Sequence, residues 1–317
     1  MLGIVIPAYK RRDCLREALQ SLCCQTYNRF FVIVVDDHSP DPLSDVVKEF
    51  EDRLHIIYKY ADENGGPGAA RQIGLNICYD KDFSEVMFLD SDDMLFPQAV
   101  ARLTHEIRHT NADLVSSKIW TEDKNGCGNY IEASNKTWLH GKIFRVSYLK
   151  KNNISFPKMR TNEDLAFNLM AIESTENGKI IDEALYLFRH ENNSITRSVD
   201  KPLSLFSYDY ITAIYEASKF LQANGKFGTQ MIVNSINTYN YYQAMLSFSI
   251  EPTEEIKEQT RYLINLPEVQ DFLKSPSSMG QFCGRINNYF IHDKKIYYYK
   301  QTFEEWLKEF TDESSNN

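Results

Sequence analysis

The chain's absences narrow it first. Its six cysteines (Cys14, Cys23, Cys24, Cys78, Cys127 and Cys283) form no C-x-x-C pair, so neither a zinc site nor a thioredoxin-type motif is indicated. Adjacent Cys23 and Cys24 fall in a helical pattern and read as small hydrophobes. No apolar run approaches the roughly 20 residues of a membrane helix, and no secretory leader precedes the first strand pattern. The expectation is a cytoplasmic protein with reduced thiols, reaching the inner face of a membrane only through partners or surface contact. Basic excess is missing as well: 35 Lys and Arg stand against 44 Asp and Glu, a formal net charge of −9. Such a chain has no general field for nucleic acid, which stays open only as an acceptor. Internal repeats are absent.

What remains is an ordinary globular composition, 43% hydrophobic and 25% charged, over 317 residues. That length supports a large core and two units. Tyr and Phe number 19 each, a load that suits a thick core or stacking surfaces. Apolar runs at 2–7, 30–35, 55–60 and 86–89 alternate with helical patterns at 13–25, 42–50 and 69–78. This alternation predicts a parallel sheet with helices on both faces. Asp13 is expected to cap its helix. A helix over 97–109, a strand over 113–120, a helix over 147–151 and a last strand over 184–189 extend the unit. Between the last two, Thr161 and Asp164 resemble a capping box at the start of another helix. Beyond residue 200 only helical periodicity appears, at 203–224, 228–249, 253–264 and 267–274. An aromatic helical or mixed stretch (281–310) and a tail (312–317) expected to be disordered follow. The expected division is an α/β unit over 1–200 and a smaller, mainly helical one over 201–317, available for acceptor binding or homo-oligomer contact.

The α/β unit is organised around Val86-Met87-Phe88-Leu89-Asp90-Ser91-Asp92-Asp93. A fully apolar run reads as a strand buried on both faces, and in α/β sheets such strand ends open into ligand crevices. Three carboxylates crowded there repel one another, so at least one is expected to be driven up in pKa and held protonated. A divalent cation relieves the conflict, because Mg2+ or Mn2+ takes several oxygen ligands. Other candidates converge on the same edge. Asp36-Asp37 ends the second strand, Asn64-Gly65-Gly66-Pro67-Gly68 leads to Arg71, and Glu163-Asp164 starts a helix. Arg71 on a first helical turn faces anions; Asp37 can accept from a nucleobase N–H, and Tyr9 can stack on the base. These parts describe a nucleotide diphosphate with a metal.

Five segments together resemble glycosyltransferase family 2, in order and at similar spacing. They are Ile4-Val5-Ile6-Pro7-Ala8-Tyr9, Val34-Val35-Asp36-Asp37-His38-Ser39, Gly65-Gly66-Pro67-Gly68-Ala69-Ala70-Arg71, Leu89-Asp90-Ser91-Asp92-Asp93 and Asn162-Glu163-Asp164. The stretch Trp138-Leu139-His140-Gly141-Lys142-Ile143-Phe144-Arg145 is similar to the one that precedes the base in those enzymes. The resemblance covers about residues 1–200. It implies a GT-A fold, a Rossmann-like, mostly parallel sheet, and metal-dependent inverting transfer from a nucleotide sugar, UDP-sugars favoured, to a hydroxyl on a glycan or polymer. Carried over residue by residue, Pro7, Ala8, Tyr9, Asp37, Gly68, Arg71, Asp90 and Ser91 would bind the nucleotide sugar. Asp90 and Asp92, with His190 as a further ligand, would hold Mn2+ or Mg2+. Asp164 would be the base, and Glu163 would hold it or meet the acceptor.

Two other readings stand beside it. A haloacid-dehalogenase-like phosphatase would use Asp90 as nucleophile, but Asp93-Met94 stands where Gly-Thr or Gly-Val is expected, and neither Asp36-Asp37 nor Glu163-Asp164 is explained. A non-catalytic sugar-nucleotide-binding module would keep the fold without turnover. A dinucleotide dehydrogenase fits poorly, because Arg71 stands where a third glycine belongs and no glycine loop follows the first strand.

Overall fold

The computed structural model describes residues 1–123, 127–159, 161–189, 203–276, 289–292 and 295–311. Its chain divides into Met1–Asn192 and Asn193–Asn317. The first unit runs β1 (Leu2–Ala8), α1 (Arg12–Cys23), β2 (Phe30–Asp36), α2 (Ser44–Lys48), β3 (Ile56–Tyr60), α3 (Gly66–Asp80), β4 (Glu85–Phe88) and β5 (Met94–Leu95). It continues through α4 (Ala99–His109), β6 (Leu114–Glu122), β7 (Gly128–Ile131), β8 (Lys142–Arg145), α5 (Val146–Lys151), α6 (Glu163–Ser174) and β9 (Gly178–Phe188).

These strands form one sheet in the order β3-β2-β1-β4-β8-β6-β9-β5, with β7 paired to β6. From β3 to β4 every pairing is parallel, with Leu2 beside both Phe30 and Glu85. Beyond β4 the sheet is mixed: β8 runs antiparallel to β4 and β6, β9 lies parallel to β6, and β5 lies antiparallel to β9. The apolar runs explain the buried half, since β1 is buried at all seven positions and such strands need cover on both faces. On one face Leu2, Ile4 and Ile6 join Leu15, Leu19 and Leu22 of α1 and Val100, Leu103 and Ile107 of α4 in the core. α3 lies close over β1: a Cβ at Gly74 would stand 2.3 Å from Val5 Cγ1.

Several local expectations change. α1 starts at Arg12 with no side-chain cap, and Asp13 instead pairs with Arg16 at 2.7 Å. The helix starts one residue later than expected: Asn162, not Thr161, occupies the N-cap, at φ +61 with no side-chain cap. α3 begins at Gly66, so the glycine turn is the first turn of the helix, with Pro67 at its start, where proline lacks no needed N–H. β9 spans 11 residues rather than the last few, and β7 was not anticipated.

In the second unit α7 (Leu203–Ala223), α8 (Thr229–Ser247), α9 (Glu254–Ile264) and α10 (Pro267–Lys274) follow the helical pattern of the sequence. A hairpin of β10 (Tyr289–His292) and β11 (Lys295–Tyr298) precedes α11 (Phe303–Thr311). Several of its aromatics are core: Tyr239, Tyr242, Trp306 and Phe310 are buried and meet mostly edge to face, the favoured geometry for packed rings. Among the described residues no helix is long and apolar enough to cross a membrane. The expected tail at 312–317 lies outside the described residues.

Candidate active site

The end of β4 gathers most of the residues singled out in the sequence. Leu89 N–H donates to Val5 O at 3.0 Å and continues the strand pairing; the chain then turns, with Asp93 N–H donating to Asp90 O at 3.0 Å. The turn sends its three carboxylates to different partners. Asp90 accepts from Arg71 Nη2 at 2.6 Å on one oxygen and meets His140 Nε2 at 3.0 Å on the other. Asp92 pairs with Arg11 from the loop after β1. Asp93, 1% exposed, accepts from Tyr186 Oη at 2.7 Å and Arg189 N–H at 3.0 Å. Arg189 Nε also donates to the Asp92 carbonyl at 2.7 Å.

Ionisation follows from those partners. Burial works to raise the Asp90 carboxyl, but Arg71 and His140 outweigh it and hold it well below the usual range. Burial drives Asp93 up to about 7, with Asp90 and Asp92 adding to the push against His140. One acid of the three is thus held toward its protonated form, as crowded carboxylates demand. Burial would lower the His140 imidazole, yet Asp90 and Asp93 raise it.

Arg71 is buried and forks between Asp90 and Glu163, donating Nη1 to Glu163 Oε1 at 2.6 Å. Expected to face a nucleotide, it faces two carboxylates of its own chain. Burial lifts Glu163 to about 7 against the pull of Arg71. Gly68 explains how Glu163 comes so near: a Cβ there would lie 2.4 Å from Glu163 Cγ. Asp164, the next residue, accepts from Leu165 N–H at 2.9 Å. Its neighbour Glu163 is joined through Arg71 to Asp90, which brings the start of α6 to the Asp90 turn.

Toward the first two strands the arrangement is tighter than expected. Asp36 is fully buried and holds Ser39 N–H (2.9 Å), Leu43 N–H (2.8 Å) and Tyr58 Oη (2.7 Å). Asp37, read as a partner for a base, accepts from Gly65 and Gly66 N–H at 2.9 and 2.8 Å. Burial raises its pKa against those two bonds. Pro7 and Ala8 are buried in β1, Ser91 is buried in the turn, and Tyr9 is 38% exposed with Lys10 Nζ 4.8 Å from its ring centre. His190 lies outside the described residues.

Two site residues were quoted in the sequence only as part of a motif. His140 arrives because Gly141 adopts φ +69, turning the chain into β8. Lys142 is 2% exposed, donates to Trp138 O at 2.5 Å, and is lowered by burial to about 7 against Asp164. Asp90, Asp93 and His140 each offer one ligand atom, all within 4.8 Å of one another. The two carboxylates suit Mn2+ or Mg2+ in chemical type, and the imidazole adds a softer ligand; His140 Nδ1 is buried without a hydrogen-bond partner. The phosphatase alternative needs Asp90 as its nucleophile, and here Asp90 is engaged on both oxygens, by Arg71 and His140.

Residues 3–159 match the family model described as glycosyl transferase family 2. The uncharacterized glycosyltransferase EpsJ of Bacillus subtilis is 25% identical over 237 residues, 64% of this chain and 64% of that protein. The chain spans less than two thirds of the length of the curated relatives it matches, 64%, 35% and 29% of the first three. Staphylococcus aureus TarS 1–349, crystallised with UDP-GlcNAc, has a TM-score of 0.67 at 18% identity, covering 95% of this chain and 99% of that one. A Pyrobaculum calidifontis mannosyltransferase, PcManGT, in complex with GDP-Man and Mn2+, has a TM-score of 0.52 at 12% identity, covering 90% and 86%. These likenesses establish the GT-A type of fold.

Proposed function

The chain belongs to glycosyltransferase family 2 through its residues 3–159, and from that premise we propose that it moves a sugar from a nucleotide diphosphate sugar to a hydroxyl of a glycan or cell-surface polymer. A UDP-sugar is the first candidate donor, because TarS, which shares the fold, was crystallised with UDP-GlcNAc. The observation that carries the reading is that Arg71 bridges Asp90 and Glu163, the residue next to Asp164, so the acidic turn and the start of α6 are tied together. A base and an acidic, metal-suited turn therefore serve one reaction centre.

In this reading Tyr9, Pro7, Ala8 and Asp37 border the nucleoside, and Arg71 acts mainly by setting Asp90 and Glu163. Asp90 and Asp92, with Asp93 and His140 beside them, would hold Mn2+ or Mg2+. When bound, the cation supplies charge stabilisation for a leaving diphosphate. An acceptor hydroxyl is a poor nucleophile until a base withdraws its proton in the transition state, and Asp164 takes that proton. Displacement from the face opposite the diphosphate inverts the anomeric centre, and a single base suffices because the departing diphosphate needs no carboxylic acid donor.

The test is nucleotide release from UDP-, GDP- and dTDP-sugars with and without Mn2+. Release from a UDP-sugar that stops on chelation is expected. No release from any sugar nucleotide, in a protein shown to bind the nucleotide, would leave the binding-module alternative instead.

A further inference from the structure

The buried polar groups around this site close into a ring, two members of which, Asn168 and Lys142, the mechanism above does not use. Helix α6 enters it twice. At its first residue Glu163 takes Arg71; Arg71 reaches Asp90, and Asp90 meets His140. Two residues before His140, the Trp138 carbonyl accepts from Asn168 Nδ2 at 3.1 Å, and Asn168 lies farther along the same helix. Lys142 of β8 donates to that carbonyl at 2.5 Å, and Asn168 also donates to Lys136 O at 2.5 Å. Asn168 is fully buried and Lys142 nearly so.

Packing alone does not call for this pair. Burying an amide and an ammonium costs free energy unless each is hydrogen-bonded, and apolar side chains of equal volume fill the same space without that cost. The ring does something apolar residues cannot: it ties α6 at two points to the turn that ends β4. Asp164 lies between those two points. Core packing of Leu165, Phe167 and Leu169 holds the helix as a whole, and the closed ring adds directional bonds that set the distance from Asp164 to Asp90.

We propose that Asn168 and Lys142 are positioning residues: by gripping the Trp138 carbonyl they close the ring and hold Asp164 at its working distance from the donor site. This rests on the reading of Asp164 as base. Neither residue touches the substrate. A misplacement of about 1 Å costs up to about 100-fold in rate, so the effect belongs in turnover rather than in nucleotide binding.

The full chain serves for the test, with UDP-GlcNAc, or the UDP-sugar found active above, as donor and Mn2+ present. Asn168→Leu, Lys142→Met and Asp164→Asn are compared in hydrolysis of the donor, in UDP affinity, in melting temperature and in UDP release driven by azide. Azide attacks the anomeric carbon as an anion while the bond to the diphosphate breaks, so it needs no proton removed. The expected result is a fall of about 10- to 100-fold in hydrolysis for the two ring variants, UDP affinity within about 2-fold, and azide-driven release retained in all three. Unchanged hydrolysis in folded ring variants overturns the proposal. So does loss of azide-driven release together with UDP affinity, which marks a merely structural role, and so does failure of both variants to fold. If Asp164→Asn alone retains hydrolysis, the base assignment fails and the positioning role with it. If Asp164→Asn is inactive while both ring variants are not, only the ring is lost.

Discussion

Three neighbouring aspartates at the end of β4 differ because their partners differ. Asp90 stays ionised between Arg71 and His140, Asp92 lies against Arg11, and Asp93 is pushed up to about 7 in the interior. A carboxyl whose folded pKa exceeds its usual 3.8 binds its proton more tightly in the native state. Its contribution to stability is complete below about 4 and is lost as pH rises through about 7. Glu163, also pushed to about 7, follows the same course. Asp93→Asn cannot ionise. Thermal melts of the metal-free protein should therefore show the variant gaining on the wild type between pH 4 and 8, whereas a difference independent of pH would contradict the raised pKa. The sequence made part of this legible: an apolar run meeting three acids already forces one toward protonation. It could not say which, because the choice depends on the burial of Asp93 in the folded interior and on His140, 50 residues from the Asp90 that it helps to hold down. Asp37 shows the same limit. Its place at a strand end was readable, but its engagement with Gly65 and Gly66 was not.

Among the elements, α3 and α6 approach closely at Gly68, beside the Arg71–Glu163 bond. In an ordinary helix, replacing Gly by Ala stabilises by about 1 kcal/mol. At Gly68 the added Cβ would stand 2.4 Å from Glu163 Cγ, against a side chain held by Arg71. The close approach decides the sign. Gly68→Ala should lower the melting temperature and slow nucleotide release, and a higher melting temperature would show that Glu163 gives way freely. The glycine cluster was visible in the sequence as a turn before a helix. That it forms the helix's own first turn and admits Glu163 depends on a contact 95 residues away, beyond the reach of local pattern. The later helix start has a similar cause: Asn162 takes a left-handed conformation and Asp164 accepts from its neighbour's N–H, so local propensity yields to the placement of the acidic pair.

For the whole molecule, the alternation of strand and helix in the first unit and the helical periods of the second were readable because each element is long and strongly patterned. Parts of the mixed half of the sheet were not, since short strands such as β5 and β7 carry too few residues to show a period. The account places nucleotide binding within Met1–Asn192. A ligand at 100 times its Kd adds about 2.7 kcal/mol to the stability of the unit that binds it. UDP with Mn2+ should therefore delay unfolding reported by Trp138, in the first unit, in a Trp120→Phe, Trp306→Phe background; no delay would place the site elsewhere. The most direct measurement is turnover of Asp164→Asn in the intact chain, alongside UDP affinity. The account predicts a rate at least about 100-fold below wild type with UDP bound as tightly as before. Turnover close to wild type would contradict it.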